Sequence, residues 1–178
     1  MNKYRINYIV KVGAFAAIAF VLQVIGSMMS IKVAGFLEVE ISDLPAIIIS
    51  FAFGPCAGVL VELIKNLLHS AMTSTGFVGE LANFVINGCF VFVCGVIYGR
   101  RKTKKNAILA LSCATVVMAI AGIFVNMYIM LPLYMPMAAF EDKLRLALCT
   151  IAPFNLVRGA VLSLITILIY KRISGLIK

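Results

Sequence analysis

Charge is scarce in this sequence: 13% of its 178 residues are Asp, Glu, Lys or Arg, while 63% are apolar. Soluble domains carry about twice that share of charge, so a globule stable in water is excluded. Cysteine pairs are missing too. Cys56, Cys89, Cys94, Cys113 and Cys149 fall inside apolar stretches, none at the two-residue spacing of zinc or redox motifs, and they read as small core residues. There is no Walker-type phosphate loop, no metal-ligand cluster and no nucleophile with its base, so neither enzymatic chemistry nor ATP hydrolysis is expected of this chain, and no cofactor or metal. The net charge of +9 sits at the ends of apolar runs, with no aromatic-interleaved basic face, which argues against nucleic acid as a partner.

What is present is a series of apolar runs, at residues 9–29, 44–53, 56–72, 81–99, 107–131 and 147–170. A run of about 20 residues crosses the roughly 30 Å hydrocarbon core as a helix. The first run is too long for a cleavable signal peptide and reads as a retained span. The second, at 10 residues, reaches only about 15 Å and cannot cross alone.

Basic residues decide the count, because Lys and Arg concentrate in short cytoplasmic loops. Lys3, Arg5 and Lys11 flank the first run, Arg100, Arg101, Lys102, Lys104 and Lys105 follow the fourth, and Lys171, Arg172 and Lys178 end the chain. All three clusters are cytoplasmic only if residues 44–72 form a helical hairpin turning at Gly54 and Pro55, short of the far surface. The expected fold is therefore all-α, a single membrane domain over residues 1–178 with six helices, the second short, and both termini cytoplasmic. Outer loops then fall at residues 31–43, 70–80 and 132–145, and every acidic residue except Glu62 lies outside. Asp43 before Leu44 and Pro45 reads as a capping acid at a helix start, and the stretch from Ile31 to Asp43, partly alternating at Val39, Glu40, Ile41 and Ser42, as an ordered loop or short strand.

Charged side chains near the bilayer centre cost about 2.5–3.5 kcal/mol on insertion scales, so polar residues within spans are candidate sites. Glu62, Lys65, Asn66 and His69 share one face of the third helix. Their simplest reading is an internal Glu62–Lys65 pair with packing hydrogen bonds, His69 being a wetted cap or core residue. Glu80 and Asn83 open the fourth helix. Asn126, Asn155 and Arg158 lie roughly 8, 12 and 17 Å below the outer ends of the fifth and sixth. Amides can simply join helices, at about 0.6 kcal/mol each, and Asn87 is assigned that role. As a pocket, carboxamides pair with an imide edge and a guanidinium adds donors to a carbonyl, which suits a flat apolar ligand with one polar edge.

The stretches AAIAFVL (16–22), EISDLPAIIISFAFGPCAGVLVELIKNLLH (40–69), GELANF (79–84), NMYIMLPLY (126–134) and PFNLVRG (153–159) resemble the riboflavin-specific substrate-binding subunits of energy-coupling factor (ECF) vitamin transporters. The resemblance implies a six-helix bundle in the bacterial cytoplasmic membrane that holds riboflavin in its outer half. Asn126, Asn155 and Arg158 would meet the flavin edge, the loop near Val39 would roof it, and Glu80 and Asn83 complete the candidate set. Arg158 stands where family members carry lysine, which raises FMN as an alternative ligand. The resemblance also implies a separate scaffold subunit and two ATPase subunits as partners, docked through small residues on the first helix. Gly13 and Ala17 match that spacing, with Ala14 and Ala16 beside them. Two alternatives are the same scaffold serving another vitamin and a proton-coupled secondary transporter using Glu62 or Glu80. The latter expects matched broken helices, and only one short helix pair is present.

Overall fold

The computed structural model describes residues 3–29, 32–33, 37–38, 41–72 and 77–177. Six helices make up the described chain: α1 (Lys3–Met29), α2 (Leu44–Phe53), α3 (Pro55–Ser70), α4 (Val78–Arg100), α5 (Lys104–Tyr134) and α6 (residues 140–177). Four of them, α1, α4, α5 and α6, are long and apolar enough to cross a membrane, and α2 is a short apolar helix. Between α1 and α2 a minimal antiparallel ribbon pairs Lys32 with Glu38 and Val33 with Leu37. Both strands fall inside the stretch 31–43 expected to form an ordered loop or short strand, and residues 39 and 40 lie outside the described residues.

The expected hairpin is present, and its sequence explains its sharpness. Gly54 takes φ +95°, a region costly for residues with a Cβ, and Pro55 opens α3, where its missing N–H is not needed. The hairpin then seats on α4 through two glycines. A Cβ on Gly58 would overlap Val91, Ser50 and the Ala46 carbonyl, and one on Gly95 would overlap Ser50 Oγ and the Pro55 backbone. Ser50 also donates to the Val91 carbonyl at 2.9 Å. Gly95 is five residues before Arg100, so the turn stops roughly 7.5 Å short of that helix end.

Aromatic contacts gather the same end of the bundle. Phe51 stacks on Tyr98 at 4.1 Å between ring centroids, the Tyr98 and Tyr170 hydroxyls are 3.0 Å apart, and Tyr8 meets Phe53 edge-on. Residues near the start of α1, the end of α2, the end of α4 and the latter part of α6 thus share one level, beside the exposed basic stretch 100–105. By the basic-loop bias this end is cytoplasmic.

Three expectations change. The loop expected at 132–145 is only 135–139, because α5 continues through Pro132 to Tyr134 and α6 begins at Phe140. The charged turn of Glu141, Asp142, Lys143 and Arg145 is exposed helix, extending the span beyond its apolar part. Of the five cysteines only Cys94 is buried, and Cys56 and Cys149 are exposed, as apolar side chains facing lipid can be. Asp43 occupies the N-cap position without a side-chain cap bond, and although it lies in the loop before α2 it is buried, not exposed.

Candidate functional site

Two local irregularities build the site. In α5 a π turn spans Asn126–Met130, and in α6 a second spans Ala147–Ile151. Each is followed by a proline at its second residue onward, Pro132 and Pro153. A proline ring clashes with the carbonyl four residues back and offers no N–H. The wide turn moves that carbonyl aside, and its last bonds run five residues back, from the Leu131 N–H to the Asn126 carbonyl and from the Ala152 N–H to the Ala147 carbonyl. The two π turns pack against each other, and such turns occur frequently at functional sites.

The irregular turns bring two carboxamides to one glycine. Asn126 Nδ2 donates to the Gly122 carbonyl at 2.8 Å, and Asn155 Nδ2 donates to the Ile151 carbonyl at 2.9 Å. Asn155 lies directly against Gly122, where a Cβ would overlap its amide. Both asparagines are buried. Each keeps a side-chain carbonyl as an acceptor, and the amide group can exchange its local bond for one to a ligand.

Arg158 follows Asn155 by three residues and shares its face, and it heads a buried ion network. Its Nη2 donates to Asp43 Oδ2 at 2.8 Å. The other oxygen, Asp43 Oδ1, accepts from Lys65 Nζ at 2.5 Å, and Lys65 is 2.7 Å from Glu62 Oε2. Asp43, Glu62 and Lys65 have no exposed side-chain surface. The expected Glu62–Lys65 pair is therefore present, but it is half of a four-charge cluster joining the start of α2 to α3 and α6. Two acidic and two basic side chains thus share one buried network, where a charge left without a partner is costly. Asn66 donates to the Glu62 carbonyl at 2.8 Å, while its Oδ1 and Glu62 Oε1 have no hydrogen-bond partner.

The remaining candidates take other places. Glu80 is buried with its carboxylate 3.3 Å from His69 Nδ1, tying the start of α4 to the end of α3. Asn83 accepts from Asn87 Nδ2 at 2.5 Å, so Asn87 has a partner within its own helix. Asn126 and Asn155 are thus brought together, Arg158 lies one turn further along α6, and Glu80 and Asn83 sit on α4, which packs against the π turn of α5. Val39 falls outside the described residues. Gly13, Ala14 and Ala17 are exposed on α1, with nothing within 4 Å of a Cβ on Gly13, whereas Ala16 faces the core.

Sequence reasoning missed Asp43 as a member of this cluster. The signal was countable: Lys65 and Arg158 both fall in apolar helices, and Glu62 alone leaves one cation without an anion.

Known proteins share this fold. A family model described as "ECF transporter, substrate-specific component" matches residues 7–170. The chain is similar to the "Riboflavin transporter RibU" of Staphylococcus aureus (strain TCH60), 32% identical over 182 residues covering 100% of this chain and 96% of that protein. It is also similar to the "Riboflavin transporter FmnP" of Bacillus subtilis (strain 168), 28% identical over 178 residues covering 96% and 93%. A solved structure described as "Structure and mechanism of the S component of a bacterial ECF transporter" superposes with a TM-score of 0.83 at 32% identity, covering 98% of this chain and 99% of that one.

Proposed function

The chain belongs to the family of substrate-specific components of ECF transporters, a multi-pass protein of a bacterial cell membrane, and we propose that it binds riboflavin between α4, α5 and α6 and delivers it for uptake. The observation that carries the reading is the meeting of Asn126 and Asn155 at Gly122, in a chain that matches riboflavin transporters along its whole length. An imide edge needs a donor and an acceptor side by side, and two buried carboxamides supply both. Arg158 adds a donor to a ring carbonyl. Riboflavin is favoured over FMN because Asp43 already pairs with Arg158, which weakens the pull of that guanidinium on a phosphate.

Purification in detergent followed by denaturation tests the reading, the released small molecule being identified by its visible spectrum and mass. Riboflavin is the expected result. A colourless preparation that quenches no added riboflavin fluorescence sinks the proposal. Asn126→Ala and Asn155→Ala should each weaken riboflavin binding by about 0.5–1.5 kcal/mol, about 2- to 12-fold. Parental affinity in both variants would move the pocket elsewhere.

Transport needs an energy source, and this sequence carries no Walker loop. The exposed face at Gly13 and Ala17 supports docking on a membrane scaffold subunit powered by two ATPase subunits, because small residues let a partner helix approach closely in lipid.

A further inference from the structure

The buried carboxylate of Asp43 lies between Lys65 and Arg158. Asp43 uses a separate oxygen for each cation, 2.5 Å to Lys65 Nζ and 2.8 Å to Arg158 Nη2. It reaches Arg158 across 115 residues of sequence and leaves its own helix uncapped by its side chain. An anion spent on an N-cap would stabilise α2; this one is turned into the bundle instead. We infer that Asp43 is a positioning residue for flavin recognition, holding the Arg158 guanidinium at the pocket and cancelling its charge so that the site offers donors to an uncharged flavin edge. The inference rests on the riboflavin reading above.

The physical basis is the low dielectric of the bundle interior, where a carboxylate in contact with a guanidinium offsets its field at nearby atoms. A flavin edge beside Arg158 carries a ring N–H that ionises in alkali. An uncompensated guanidinium would favour the ionised ring, and Asp43 opposes this. Among the described residues, the charged or titratable groups facing the cluster include Glu62 and Lys65 on α3, with His69 and Glu80 beyond them at the outer end. Lys65 Nζ also lies 3.4 Å from Ser42 Oγ.

The experiment is a spectroscopic pH titration of riboflavin bound to the purified chain. It compares the parent with Asp43→Asn and with Asp43→Asn/Lys65→Met, which removes one charge of each sign and keeps the cluster neutral. Thermal unfolding without ligand reports whether each variant folds. In both variants the ring N–H is expected to ionise at a pH lower by about one unit or more. A variant that folds but can no longer be saturated with flavin also supports the aiming of Arg158. A folded variant that binds with parental affinity and ionises at the parental pH overturns the inference while leaving the riboflavin reading intact. If the single variant fails to fold the double variant decides, and failure of both assigns Asp43 to the fold alone and overturns the inference. A parent that binds no flavin overturns both proposals. Asp43→Glu, which keeps the charge, is expected to ionise as the parent does.

Discussion

Gly122 shows how much one missing Cβ decides at the scale of a residue. Its carbonyl accepts from Asn126, and its bare Cα leaves the space that the Asn155 amide fills. A methyl group there overlaps the amide nitrogen of a buried side chain held by its own hydrogen bond. Gly122→Ala is therefore expected to push Asn155 out of register and weaken riboflavin binding by about 2- to 12-fold, in line with loss of one buried hydrogen bond. Fluorescence quenching measures this, and parental affinity would mean that the two amides do not act together. Arg158 teaches the complementary lesson: its chemistry is set by Asp43, a residue far away in sequence.

Elements carry the next step, through the two prolines. Pro132 and Pro153 each follow a π turn that frees the carbonyl they would strike. A π turn holds one extra residue, so its conversion to α-helix rotates everything beyond it by about 100°. In Pro153→Ala the reason for the wide turn is gone. The expected result is helix content unchanged by circular dichroism with weakened riboflavin binding, because Asn155 and Arg158 follow the turn. Unchanged affinity would show that packing between the two turns suffices to hold them. At the hairpin the corresponding residue is Gly95, whose Cα lies against the Pro55 backbone. Backbone cannot swing aside as a side-chain tip can. Gly95→Ala should cost about 1–3 kcal/mol, read as a lowered unfolding temperature in detergent, and no loss would mean that the hairpin seat is looser than its contacts indicate.

For the whole molecule, the proposed binding site and the proposed docking face lie on different surfaces. The amides and the ion cluster lie inside the bundle, whereas Gly13 and Ala17 are exposed on α1. Gly13→Leu or Ala17→Leu is expected to leave riboflavin affinity within about two-fold of the parent and to abolish ATP-dependent uptake by the assembled transporter. Uptake at the parental rate by either variant, with the scaffold subunit copurifying, would remove that face from the coupling surface. The ion cluster has a global role as well, since it ties the starts of α2 and the middle of α3 to α6. Lys65→Met alone leaves both Asp43 and Glu62 facing one cation, Arg158, and should destabilise the chain by about 3–5 kcal/mol, seen in thermal unfolding without ligand. A variant as stable as the parent would mean that Glu62 is held neutral.

Periodicity and charge made the spans, the hairpin at Gly54 and Pro55, and most of the buried polar residues of α3, α5 and α6 legible before any coordinates. Apolar length is a local property tied to bilayer thickness, and basic loops report sidedness one segment at a time. The ends of α5 and α6 were not legible, because helix continues through Pro132 and through the charged turn at Glu141 and Asp142, beyond what apolar runs mark. The π turns could be suspected from two prolines inside long spans, but their bonding pattern could not. Asp43 was misread as a cap because capping is a short-range rule, and nothing local says that its carboxylate turns toward residues 22 and 115 positions away. The sequence alone thus determined which residues are polar in an apolar bundle. Tertiary structure decided which of them meet, because partner choice among buried charges depends on how helices distant in sequence pack, and the cost of leaving any charge unpaired in the interior makes that choice strict.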